Sequence, residues 1–219
     1  MSKLVLYGLD VSPPVRACLL TLRALELPYE YIEVDLLSRE HLTEDFLKKN
    51  PQHTVPLLDD NGTYIWDSHA ICCYLVDKYG KNDELYPKDV VKRALVNQRL
   101  YFDASALFMP LRNISVPYFY HNVTEVPQEK LNNVKDGYRH LENFLGDNKY
   151  LNGDTITIAD FCCGATASSL PAVLKMDAEE FPKIAAWLRR LEKLPYYEEV
   201  NNTGAQKYIE MLKNKFTYV

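Results

Sequence analysis

Over about the first 80 residues, strand-like alternation and helical spacing take turns, and beyond them only helical spacing remains. That change of period limits the fold more than any single motif. Leu4 to Tyr7 reads as a strand, and Pro13 to Leu27 as a helix with Val15, Cys18, Leu19, Leu22 and Leu25 on one face. "YEYIEVDLL" from Tyr29 alternates as a second strand, and "REHLTEDFLKKN" is a short helix stopped by Asn50 and Pro51. "VPLLDDNGTYIWD" predicts two strands joined across Asn61–Gly62, a strong hairpin signal. Asp67 and Ser68 offer capping oxygens to "SHAICCYLVDKYG", a helix closed by Gly80. The order β-α-β-α-β-β-α predicts a small α/β domain over 1–81, followed by a linker over 82–89. Segments beginning at Val90, Glu129, Thr157 and Pro182 are helical, with Leu131, Val134, Tyr138, Leu141 and Leu145 as the clearest face, so 90–219 is expected to be an all-α domain. In "TITIADF", Thr157 and Asp160 match a capping box, which is a folding device.

Composition excludes several function classes. The 219 residues are 47% hydrophobic and 25% charged, ordinary material for a folded protein with a sizeable core. A net charge of -5 argues against general affinity for nucleic acid or an anionic membrane, so an anionic ligand must be held by local groups. The first apolar run is too short for a secretion signal and no stretch is long enough to span a bilayer, so a cytoplasmic protein is expected. The N-x-S/T sequons at Asn61, Asn113, Asn122 and Asn201 then carry no weight. Five cysteines without a C-x-x-C pair or metal-ligand spacing read as reduced, buried, small apolar residues, with no metal site.

In "GLDVSPPVR", Ser12 stands between the first strand and two prolines. One reading is a helix cap, since a serine hydroxyl accepts from the first turn and proline suits that turn. The other is a functional hydroxyl at the mouth of a helix. A hydrolase nucleophile is the weaker version of the second reading, because no acidic residue in the motif orients a base beside it. Pro56 opens a predicted strand, which fits either an edge strand or a cis bond that turns backbone groups outward.

"SPPVR", "NPQHTVPLL", "WDSHAI" and "TIADF", in this order and at these separations, resemble the cytosolic glutathione transferases. The likeness covers the whole chain and is greatest to the insect delta/epsilon type, with epsilon preferred. It implies a thioredoxin-like N-terminal domain, a cis peptide before Pro56, and a homodimer. It also implies glutathione as co-substrate, with no tightly bound cofactor. Ser12 would donate to the glutathione sulfur and favour the thiolate. The backbone around Thr54, Val55 and Pro56 would pair with the cysteinyl part as an added strand does. His41 and His53 would hold the glycyl carboxylate, Asp67 the ammonium, and Ser68 and Arg112 a carboxylate. His69 would lie near the glutathione and the subunit contact, or would be only a first-turn helix residue.

The second substrate of such an enzyme is a small hydrophobic electrophile, which needs an apolar wall. Phe108, Leu111, Arg112, Ser115 and Phe119 fall on one helical face, with Leu9, Pro14 and Leu36 opposite. Ordinary core packing is the competing reading for each apolar member. Pro110 and Pro117 predict a bent or interrupted helix beside this wall. The function implied is detoxifying conjugation of xenobiotics, with glutathione-dependent peroxidase activity as an accompaniment. The alternative on the same fold is a non-catalytic binder of hydrophobic ligands, for which retention of Ser12, His53, Asp67 and Ser68 would be unnecessary. A thiol–disulfide oxidoreductase would need cysteine at or near Ser12, which the chain lacks.

Overall fold

The computed structural model describes residues 4–219. β1 (Leu4–Gly8), β2 (Tyr29–Glu33), β3 (Leu57–Asp60) and β4 (Thr63–Trp66) form one sheet in the order β2-β1-β3-β4. β1 and β2 are parallel, connected through α1 (Pro13–Ala24), while β3 runs antiparallel to both β1 and β4. The hairpin turns at Asn61 (φ 52°) and Gly62 (φ 86°), both left-handed as a tight primed turn requires. α3 (Ser68–Tyr79) packs beside α1 on one face of the sheet. A smaller cluster on the other face joins Val34, Phe46 and Leu57, with Phe46 supplied by α2 (Glu44–Lys49). This is the thioredoxin-like α/β arrangement.

The remaining helices are α4 (Val90–Phe102), α5 (Phe108–His121), α6 (Gln128–Leu145), α7 (Ile158–Ala167), α8 (Pro182–Leu191) and α9 (Thr203–Leu212). α1 packs against α7, and a single apolar core runs from the sheet into the helical half. Among the described residues all five cysteines are free thiols, and all but the half-buried Cys73 are buried. Asp160 accepts from the backbone N–H of Thr157 at 2.9 Å, the acid arm of the expected capping box. The same buried carboxylate accepts from Leu151 N at 2.9 Å and Trp187 Nε1 at 3.0 Å, tying α7 to α8.

Four local expectations are corrected. α1 stops at Ala24 rather than Leu27, because Glu26 adopts a left-handed φ of 56°. "REHLTEDFLKKN" divides into a 3-10 turn (Glu40–Leu42) and α2, since Thr43 is extended and caps the second piece. The interruption expected near Pro110 and Pro117 falls earlier, at a π-helical turn over Asp103–Leu107, while α5 runs through both prolines. Pro110 lacks the N–H that the Ala106 carbonyl would accept in a regular helix, and its ring crowds that carbonyl, so the ladder opens just before it. Finally, β5 (Glu125–Val126) and β6 (Thr217–Tyr218) pair in parallel within the helical half; two-residue strands leave no periodic signal.

Candidate active site

The sheet register collects the chemistry-bearing loops at one edge. Gly8 at the end of β1 pairs with Glu33 at the end of β2, Tyr7 with Leu57 at the start of β3, and Leu57 with Trp66 at the end of β4. The loop carrying Ser12, the loop ending at Pro56 and the turn at Asp67 therefore all leave or enter the sheet on the same side.

Ser12 is extended (φ −76°, ψ 118°), donates its N–H to Leu9 O at 2.9 Å and accepts Arg16 N–H at 3.1 Å on its carbonyl. Its hydroxyl does not cap α1, contrary to the capping expectation. Pro13 and Pro14 fill the first two helical positions, so the second position has no N–H to offer. The half-buried hydroxyl has no hydrogen-bond partner among the described residues and stands at the positive end of the helix.

Across the edge, the Val55–Pro56 peptide is cis. Asn50, fully buried, shapes the approach: its Nδ2 donates to Thr54 O at 2.9 Å and Thr54 Oγ1 at 3.2 Å, and its Oδ1 accepts Gln52 N–H at 3.0 Å. His53 adopts a left-handed φ of 48°, and its ring centroid lies 6.2 Å from that of His41. His41 is buried with its Nδ1 unpartnered; burial, then the nearby His53 and Arg39 charges, lower its pKa and keep the ring neutral.

Asp67 (φ 71°, ψ 120°) caps α3, its Oδ1 accepting from His69 N at 2.9 Å and Ala70 N at 3.2 Å. The other carboxylate oxygen has no partner among the described residues. His69 bridges two acids, with Nδ1 at 3.2 Å from Asp67 Oδ1 and Nε2 at 2.9 Å from Asp103 Oδ2. Burial opposes its charge, but hydrogen bonds to Asp103 and Asp67 outweigh burial and lift its pKa to about 10. The His69 hydrogen bond in turn holds the Asp67 carboxyl below its ordinary range. Ser68 is buried in the first turn and its carbonyl accepts the Cys18 thiol at 3.8 Å.

The expected apolar wall is partly rebuilt. Leu9, Pro14, Leu36, Phe108 and Phe119 are half-buried, whereas Leu111 is fully enclosed in the core. Ser115 is likewise buried, its hydroxyl donating to Leu111 O at 2.9 Å, so these two face inward rather than toward a substrate. Arg112 is exposed without an ion pair or hydrogen bond among the described residues. Tyr208 of α9, unmarked by any sequence motif, lies tilted against Phe119 at 6.1 Å between centroids, and the Tyr120 hydroxyl reaches Leu36 O at 3.4 Å across the two halves. A cavity of about 510 Å³ lies elsewhere, between the 105–113 stretch and α6 near His140. Among the described residues no group of acids, histidines and cysteines is arranged to hold a metal ion, and no helix is long and apolar enough to cross a membrane.

Residues 6–83 match the glutathione S-transferase N-terminal domain, and residues 101–195 its C-terminal domain. The chain belongs to the glutathione S-transferase family. It is 43% identical to glutathione S-transferase 1 of Manduca sexta over 98% of this chain and 99% of that one. An epsilon-class glutathione S-transferase structure from the housefly, Musca domestica, superposes with a TM-score of 0.96 at 55% identity, covering 99% of this chain and 100% of the other. A glutathione transferase homolog from Drosophila mojavensis, solved with bound glutathione, gives a TM-score of 0.97 at 51% identity, each chain covered in full at 100%. The insect, epsilon-type resemblance carried by the motifs is borne out, and the chain is a transferase with glutathione as co-substrate.

Proposed function

We propose that Ser12 donates its hydroxyl to the glutathione sulfur and holds it as the thiolate that attacks a small hydrophobic electrophile. The observation that carries this is the unused Ser12 hydroxyl at the mouth of α1, which makes no capping hydrogen bond, the second helical position being a proline with no N–H to offer. A free thiol ionises near about pH 8.5, so only a few per cent is thiolate at neutrality. One hydrogen bond to a charged group contributes about 1.5–3 kcal/mol, enough to lower that pKa by about one to two units. The dipole of α1 acts in the same direction.

The rest of the edge fits the tripeptide. The Val55 backbone, at the cis peptide, pairs with the cysteinyl part, flanked by Thr54 and Pro56. His53 and the unpartnered Nδ1 of His41 receive the glycyl carboxylate. The free oxygen of Asp67 takes the ammonium, and the Ser68 hydroxyl with the first turn of α3 takes the remaining carboxylate. His69 acts by fixing Asp67, and Arg112 lies ready at the rim for an anionic group. The electrophile lies against Leu9, Pro14, Leu36, Phe108 and Phe119. With a chlorinated nitrobenzene, the carbon–sulfur bond forms as the carbon–chlorine bond breaks, and chloride leaves with the electron pair.

The functional division is 1–81 for glutathione, 82–89 as linker and 90–219 for the hydrophobic substrate. A homodimer accounts for the exposed apolar residues of α4: Val90 is 80% exposed, Val91 69% and Tyr101 70%. The cellular place is the cytoplasm, with no nucleic-acid or membrane partner. The deciding experiment is steady-state conjugation of a chlorinated nitrobenzene by the parent and Ser12→Ala. Loss of turnover with glutathione binding kept supports the assignment; glutathione binding with no turnover in the parent supports a ligand carrier instead.

A further inference from the structure

Four residues beyond Ser12, the guanidinium of Arg16 is 0% exposed and meets no carboxylate among the described residues. Nη1 donates to Asn201 Oδ1 at 2.7 Å, Asn201 O at 3.2 Å and Ser168 Oγ at 3.3 Å; Nη2 donates to Ser169 Oγ, and Nε has no partner. Every acceptor is neutral. Burial pulls the Arg16 pKa down to about 10, which still leaves it charged at neutral pH.

The groups facing this charge do not cancel it. Asp10, in the loop before Ser12, is engaged by Lys207 of α9 at 2.6 Å. Glu199, on the turn bearing Asn201, is paired with Arg23 at 2.8 Å. Tyr197 and Tyr208 face Arg16 from the helical half, and burial pushes both up to about 12, so they are neutral in the working range. Water is kept away by close approach of α9: a Cβ added at Gly204 would stand 2.2 Å from Asp10 O and 2.8 Å from Arg16 Cδ.

An ion pair or an apolar side chain would join α1 to the helical half without burying an unbalanced charge. We propose that Arg16 is retained as a buried, uncompensated positive charge whose field at the mouth of α1 helps to keep the bound thiol ionised. This rests on the reading that the glutathione sulfur sits at Ser12. Four residues of helix rise about 6 Å. A unit charge about 10 Å away, at an effective dielectric of about 20, shifts a thiol by about one pH unit.

The test reads the pKa of enzyme-bound glutathione, from thiolate ultraviolet absorbance and the pH profile of kcat/KM, in the full chain. Asn201→Asp places a carboxylate on Arg16 with the shape and the Oδ1 acceptor kept, losing only the bond that Asn201 Nδ2 donates to Ser168 Oγ at 3.2 Å; it should raise the thiol pKa by about one unit while the KM for glutathione holds. Arg16→Met should raise it equally with some loss of stability, and Arg16→Lys should restore it. If Ser12→Ala raises the thiol pKa but Asn201→Asp and Arg16→Met leave it unmoved, Arg16 is only an interdomain staple and the proposal falls. If Asn201→Asp raises it and Ser12→Ala does not, the field stands and the Ser12 assignment falls. Should Arg16→Met not fold, Asn201→Asp alone decides.

Discussion

His69 Nε2 lies 2.9 Å from Asp103 Oδ2, joining the first turn of α3 to the π-helical turn that separates α4 from α5. One imidazole thus ties the putting-in-place of Asp67 to a bend in the other half of the molecule. Asp103 is buried, and its second oxygen has no partner. Asp103→Asn removes the charge that favours protonated His69 and loosens its hold on Asp67. The expected result is a rise in KM for glutathione of about tenfold, equivalent to about 1.4 kcal/mol, with kcat for a bound thiolate changed less. Initial-rate kinetics against glutathione check it; an unchanged KM would show that Asp67 is fixed by α3 alone.

The same contact makes stability depend on pH in a defined direction. The folded protein holds the His69 proton up to about pH 10, whereas an unfolded histidine releases it near about 6.5. The stabilisation is therefore complete below about pH 6.5 and fades as pH rises toward about 10. Urea unfolding at pH 6 and pH 9 should show the parent losing more stability over that interval than His69→Gln, by about 1 kcal/mol or more for each pH unit that is effective. Equal losses in the two proteins would mean that His69 is not charged in the folded state.

Asp60 anchors the end of β3 to the C-terminal half of α3. Its enclosed carboxylate accepts from Tyr74 OH at 2.6 Å, Tyr79 OH at 2.5 Å and Lys78 Nζ at 2.6 Å. Burial opposes the charge, but these bonds outweigh it and hold the carboxyl well below the usual range. Asp60→Ala leaves these three donors and Asn61 Nδ2, which also donates to the carboxylate at 2.6 Å, aimed at an empty place, so a loss of about 3 kcal/mol is expected, as for a broken buried ion pair. Thermal or urea unfolding measures it, and a change below about 1 kcal/mol would show that the cluster behaves as an exposed pair.

What was legible in the sequence followed from local rules. Asn61–Gly62 needs only its own turn chemistry, and Asp67 with Ser68 announces α3 from within the helix it starts. The motif likeness covered the site loops for a similar reason, since Ser12, His53 and Asp67 each sit in a short contiguous signature. Arg16, Asn50 and Asp103 were not legible as site-shaping residues. The partners of Arg16 and Asp103 lie 185 and 34 residues away, and separation of that order leaves no periodic trace. Leu111 and Ser115 were misplaced because helical spacing groups residues on a face without saying which neighbour covers it; here the core covers them.

The two prolines after Ser12 provide the most direct handle on the hydroxyl itself. Pro14 stands at the second helical position, and Pro14→Ala returns an N–H that a serine cap accepts. The hydroxyl is then shared between capping α1 and serving the sulfur, so kcat/KM should fall a few-fold while stability is unchanged or rises by about 0.5–1 kcal/mol. Pro14 also belongs to the apolar wall, and a double-mutant cycle separates the two effects. In the Ser12→Ala background no hydroxyl remains to be diverted, and only the wall contribution of Pro14 survives. The Pro14 effect on kcat/KM should therefore shrink in that background, with a coupling of about 0.5 kcal/mol or more. Additive effects would place the whole influence of Pro14 in substrate packing and leave the capping competition without support.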